Sequence, residues 1–112
     1  KLGILIESIS GLDRASELLS TGHVDFVYFG AYDLSVEMGI PGQIYAETII
    51  GCLRVLVDIC NKNEVQIMSL YRDLEELLIL RSLGVDVCIA GVDTGHISQT
   101  FSRIVESAND IS

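Results

Sequence analysis

Glu7 closes the apolar run LGILI, and Asp33 lies in YFGAYDLS, residues 28–35, where a second apolar run meets a glycine and then a carboxylate and a hydroxyl. No lysine or arginine stands within ten residues of Asp33 on either side, so the local sequence offers it no salt-bridge partner. Two unpaired carboxylates brought together repel unless a proton or a cation lies between them. A hard divalent cation with open coordination positions suits such a pair, which points to Mg²⁺ or Mn²⁺. The plainer alternative is that each carboxylate caps the helix after its strand. Gly30 admits two readings as well. Without a Cβ it lets a ligand approach the backbone, with the following N–H groups free to hold an anion, or it simply makes a tight strand-to-loop turn.

The elements that must position these residues are legible as period and punctuation. Four short apolar runs have the length and β-branched content of strands: LGILI at 2–6, VDFVYF at 24–29, VQIMSL at 65–70 and VDVCIA at 85–90. Three are nearly continuous in apolar character, as parallel strands covered on both faces are. Helical spacing fills the gaps. Ser10 is placed to cap a helix through Leu12, Ala15, Leu18 and Leu19 that ends before Gly22. A longer helix from Ala46 to Asn61 aligns Ile49, Leu53, Leu56, Ile59 and Cys60. Asp73 opens a third through Leu74, Leu77, Leu78 and Leu83, with Gly84 suited to a left-handed end. A last helix over 97–108 carries Ile97, Phe101, Ile104 and Val105.

The order β-α-β-α-β-α-β-α with short connections predicts one parallel sheet joined by right-handed crossovers, in a single domain spanning 1–112. Ligands of such sheets bind outside the carboxyl ends of the strands, where loops and helix N-termini converge. The residues closing the strands are Glu7, then Asp33, then SLYRD, then AGVDTG with Asp93. If the first two strands are neighbours, about 4.8 Å apart, Glu7 and Asp33 can meet across one gap on the same rim.

Composition removes several functions. A net charge of −9 repels phosphate backbones and anionic lipid, which excludes nucleic acid and membrane surfaces as partners. No apolar run reaches the ~20 residues of a membrane span, and the N-terminus lacks a signal-peptide pattern, so the cytoplasm is the expected compartment. Cys52 and Cys60 lie about 12 Å apart along one predicted helix, too far to bridge, so buried thiols are expected. Lys1 leads straight into LGILIE without a polar approach, which suggests a chain cut just before a buried strand. At 112 residues it falls well short of the ~250 of a complete eight-fold βα barrel.

The stretches ILIES, VDFVYFGAYDLSVEMGIPGQ and LRSLGVDVCIAGVDTGHI closely resemble the HpcH/HpaI aldolase and citrate lyase family, a branch of the pyruvate/phosphoenolpyruvate TIM barrels. The likeness spans nearly the whole chain but only strands five to eight of the family's barrel. It implies a parallel (βα)₄ unit, the second half of a TIM (β/α)₈ barrel, completed or stabilised by association. It further implies that Glu7 and Asp33 bind Mg²⁺ or Mn²⁺ and that backbone amides at Gly30, Ala31 and Tyr32 grip the carboxylate of a 2-oxo acid such as pyruvate or oxaloacetate. The implied chemistry is reversible aldol cleavage through a pyruvate enolate, without a Schiff-base lysine.

The chain departs from the family pattern in places. Ala31 stands where proline is usual, and IYAET stands where a His-Pro pair commonly follows. The family's catalytic histidine and substrate-binding arginine belong to the barrel's first half, so no catalytic residue is assigned in this chain. His23 falls at the wrong end of the sheet, and His96 begins the last helix. Arg72 reads as an exposed residue beside Asp73, and Asp93 as a cap for the final helix.

Three functions follow as expectations. The first is part of a metal-dependent lyase, associating with a second copy or with a missing N-terminal half. The second is a catalytically inactive half-barrel association module that retains the motif. The third, a flavodoxin-like or receiver-like binding domain, is weakened by the presence of four strands rather than five.

Overall fold

The computed structural model describes residues 1–91 and 102–109. Along the chain run β1 (Gly3–Ile6), α1 (Ile9–Leu19), β2 (Phe26–Phe29), α2 (Ala31–Glu37), α3 (Glu47–Lys62), β3 (Gln66–Tyr71), α4 (Leu74–Leu83) and β4 (Val87–Ala90). The four strands form one sheet in the order β1-β2-β3-β4, every pair parallel. Each consecutive pair is joined by a crossover carrying at least one helix, as parallel pairing requires.

Strand alternation sets the core. Ile6, Val27, Phe29 and Ile67 point one way and pack against Ala15 and Leu19 of α1, Leu53, Leu56 and Cys60 of α3, and Leu80 of α4. At ~25 cal/mol per Å² of apolar surface removed from water, this one-sided layer is the main stabilising contribution. The opposite set, Leu5, Phe26, Tyr28, Met68 and Leu70, remains half-buried or exposed. Continuous apolar runs predicted strands covered on both faces. Among the described residues, helices cover only the face that carries Ile6, Val27, Phe29 and Ile67.

Local chemistry explains the boundaries. The cap of α1 is Ser8 rather than the predicted Ser10: Ser8 is extended, is separated from the strand only by Glu7, and its Oγ accepts from Gly11 N at 3.0 Å. Ser10 lies inside the helix. Asp73 caps α4 as predicted, accepting from Glu76 N at 2.9 Å, and Gly84 takes the left-handed end at φ 90°. The eight-element order omits α2, a seven-residue helix that starts immediately after Gly30. Residues 102–109 are helical, with Ile104 and Val105 exposed rather than packed; Ile97 and Phe101 lie outside the described residues.

Candidate metal centre

The register Ile6↔Phe29 brings Glu7 beside Gly30 at the carboxyl rim of the first two strands, where Gly30 N donates to Ile6 O at 2.8 Å. A Cβ on Gly30 would lie 2.6 Å from Glu7 Cβ and 3.3 Å from Leu5 Cδ1. The space that glycine leaves is therefore filled by the Glu7 side chain. This close approach sets Glu7 against the start of α2, and Asp33 sits in the first turn of that helix.

The Glu7 carboxyl is raised above its ordinary range, first by side-chain hydrogen bonding with Asp33, then by partial loss of solvent and by the charge of Asp33. Two neighbouring carboxylates with this upward shift favour a proton or a cation between them. Among the described residues the one ion pair is Arg72–Glu76, so Glu7 and Asp33 face no basic side chain. No group of three His, Cys, Asp or Glu side chains converges among the described residues. Two carboxylates with water and ligand oxygens completing the shell are what Mg²⁺ commonly accepts, so the residues present fit such an ion.

Ala31 is buried and Tyr32 exposed, both in the first turn of α2, whose opening N–H groups have no acceptor within the helix. Ser35, the hydroxyl of YFGAYDLS, is fully buried. Its Oγ donates to Tyr32 O at 2.6 Å and accepts from Gly42 N at 3.0 Å, tying α2 to the loop that leads to α3. Glu37, four residues beyond Asp33, accepts from Ile9 N at 2.9 Å. Sequence reasoning noted the Ser35 hydroxyl without giving it a role and passed over Glu37. For Glu37 the signal available was its spacing from Asp33, since residues four apart share one helix face.

The remaining candidates lie elsewhere. His23 is exposed in the loop before β2, at the opposite end of the sheet. Arg72 follows β3, but its guanidinium is forked onto the buried Glu76 and lies 6.0 Å from the centre of the Tyr45 ring. Glu76 also accepts from Arg72 N, and Tyr45 Oη donates to Leu70 O, so Arg72 belongs to a brace over the end of β3. Asp93 and His96 lie outside the described residues.

The sequence profile of the HpcH/HpaI aldolase/citrate lyase family matches residues 1–100. No curated protein matches the chain. Among solved structures, citrate synthase SbnG is similar at a TM-score of 0.85 and 23% identity, over 96% of this chain and 44% of that one. The HpcH/HpaI aldolase from Desulfitobacterium hafniense DCB-2 gives 0.86 and 20%, over 95% and 41%. An aldolase/citrate lyase family protein from Burkholderia cenocepacia J2315 gives 0.85 and 17%, over 96% and 42%. At these identities the likeness establishes the fold, that of half of a TIM-type barrel, and the chain spans less than half the length of each of these structures. With a profile match covering most of its residues, the chain belongs to the HpcH/HpaI aldolase/citrate lyase family.

Proposed function

We infer that this chain supplies the metal-binding rim of a divalent-metal-dependent aldolase or lyase, one that makes or cleaves a carbon–carbon bond in a 2-oxo acid such as pyruvate or oxaloacetate. The observation that carries the reading is the position of Glu7, packed against Gly30 at the rim of the neighbouring strands β1 and β2, next to Asp33 in the first turn of α2, with no basic group facing either among the described residues. Family membership supports the reaction class.

In this reading Glu7 and Asp33 hold Mg²⁺ or Mn²⁺ through their carboxylate oxygens. The bound ion supplies Lewis acidity toward the keto group of the oxo acid. Ala31 and Tyr32 orient the substrate, because their N–H groups in the first turn of α2 have no acceptor within the helix; the Gly30 N–H already donates to Ile6 O, so Gly30 contributes the close approach of the backbone and no donor. Ala31 closes the inner side of this cradle against water, and Tyr32 stands at its solvent edge. A proton-transfer group and a substrate-binding arginine come from the rest of the barrel, supplied by a second copy or by an N-terminal half.

Isothermal titration with Mg²⁺ or Mn²⁺ in the presence of pyruvate tests this. Binding by the parent chain that is lost in Glu7→Gln and in Asp33→Asn is the expected result. No binding by the parent, or equal binding by both variants, sinks the proposal. The uncovered sheet face with exposed Leu5 favours a second reading, an inactive association module that keeps the motif. Light scattering beside an aldol-cleavage assay of the chain with its barrel partner separates the two, since a module associates without turning over any oxo-acid adduct. A cytoplasmic location accompanies either reading, argued from the acidic composition and the three free thiols. Among the described residues no helix is long and apolar enough to cross a membrane.

A further inference from the structure

α2 carries two acids on one face. Asp33 in its first turn meets Glu7, and Glu37 at its last residue accepts from Ile9 N at 2.9 Å. Ile9 is the first residue of α1, only two positions after Glu7, so one short helix grips the β1–α1 turn at both ends. α1 has no acid of its own in its first turn, and Ser8 satisfies Gly11 N, which leaves the Ile9 N–H to an acceptor from outside the helix. Glu37 fills that role with a charge that also suits the positive end of α1.

We propose that Glu37 is a positioning residue for the metal centre: its hydrogen bond to Ile9 N fixes the Glu7-Ser8-Ile9 turn against α2 and so sets the separation of the Glu7 and Asp33 carboxylates. The inference rests on the metal-binding reading above. Glu37 contacts neither carboxylate in this arrangement; it acts through the backbone of the turn. Outer groups that orient metal ligands are commonly worth 10–100-fold in affinity.

The test is Mn²⁺ titration calorimetry on the full chain, together with the melting temperature and the amide-exchange rate of Ile9 in the metal-free protein. Glu37→Ala is expected to speed exchange at Ile9 and weaken Mn²⁺ binding about 10- to 100-fold. Glu37→Gln keeps an oxygen acceptor without the charge and is expected to restore most of that affinity. Asp73→Ala removes a cap from α4, far along the chain from either carboxylate, and is expected to lower the melting temperature without moving Mn²⁺ affinity. Unchanged Mn²⁺ binding in Glu37→Ala, with the parent binding normally, overturns this inference alone. Equal loss in Glu37→Ala and Glu37→Gln overturns it in favour of a purely electrostatic effect. A parent chain that binds no Mn²⁺ overturns the metal-binding reading and this inference together.

Discussion

Glu7 and Asp33 place a like-charged pair at a sheet rim, where protons and cations would each relieve the repulsion and compete with one another. Because the folded Glu7 carboxyl is raised, the stability linked to it is complete below the ordinary glutamate range and is lost as pH climbs through the raised value. Metal-free protein should therefore melt lower at neutral pH than Glu7→Gln, and the gap should close as the buffer is acidified. Added Mn²⁺ should raise the melting temperature of the parent at neutral pH and leave Glu7→Gln unmoved. Metal binding itself should weaken toward acid, since the ligands must be deprotonated. Gly30→Ala forces a methyl to within 2.6 Å of Glu7 Cβ, so it should cost about 1–3 kcal/mol in denaturant unfolding and displace the Glu7 carboxylate. That displacement should appear as weakened Mn²⁺ binding. The three residues of this cluster were legible from sequence because each marks the end of an apolar run. What glycine makes room for was not legible, since the neighbour that fills the space comes from another strand.

At the scale of elements, α2 is the part that pattern reading missed. Seven residues give too short a window for a 3.6-residue period to stand out, and Gly30 offers no side chain as a cap. Its anchors are tertiary: Leu34 and Ser35 are fully buried, and Glu37 reaches α1. Ser35→Ala should leave the Gly42 N–H without its acceptor, at a cost of about 1–3 kcal/mol measured by urea unfolding. Elsewhere the reading of elements held where chemistry is local, as with the Asp73 cap and the left-handed Gly84. It slipped at Ser8 and Ser10, two serines separated by a single residue, because only the extended backbone of Ser8 distinguishes cap from helix. Val24, Val65 and Val85 were read as starting strands but precede them; Val65 and Val85 are buried all the same, so hydrophobicity there reports burial and not pairing.

For the molecule as a whole, the one-sided core decides behaviour. Leu5 on β1 is 51% exposed and Val87 on β4 is 39% exposed, each on a strand that lacks a neighbour on one side in the four-stranded order. Such edges invite pairing with further strands, so Leu5→Lys should reduce any concentration-dependent association seen by light scattering. Burial pushes the Cys60 thiol up to about 11, so Cys60 should resist a thiol reagent at neutral pH until the chain unfolds, whereas the less buried Cys88 reacts in the folded state. The parallel sheet was legible because four strand-helix repeats dictate it, whereas the half-barrel followed from the family resemblance and not from the pattern. The uncovered face was not, because an apolar run reads the same whether helices or further strands are to cover it.

The carboxylate pair, the glycine that admits it and the acid that braces it all fall between positions 7 and 37, within one βαβ unit and the short helix that follows it. The geometry of the carboxylate pair is thus written in a contiguous segment of about a quarter of the polypeptide. A gene exchange with its breakpoint beyond Tyr45 would carry the pair and its brace across whole, leaving the incoming segments free to diversify what lies opposite them.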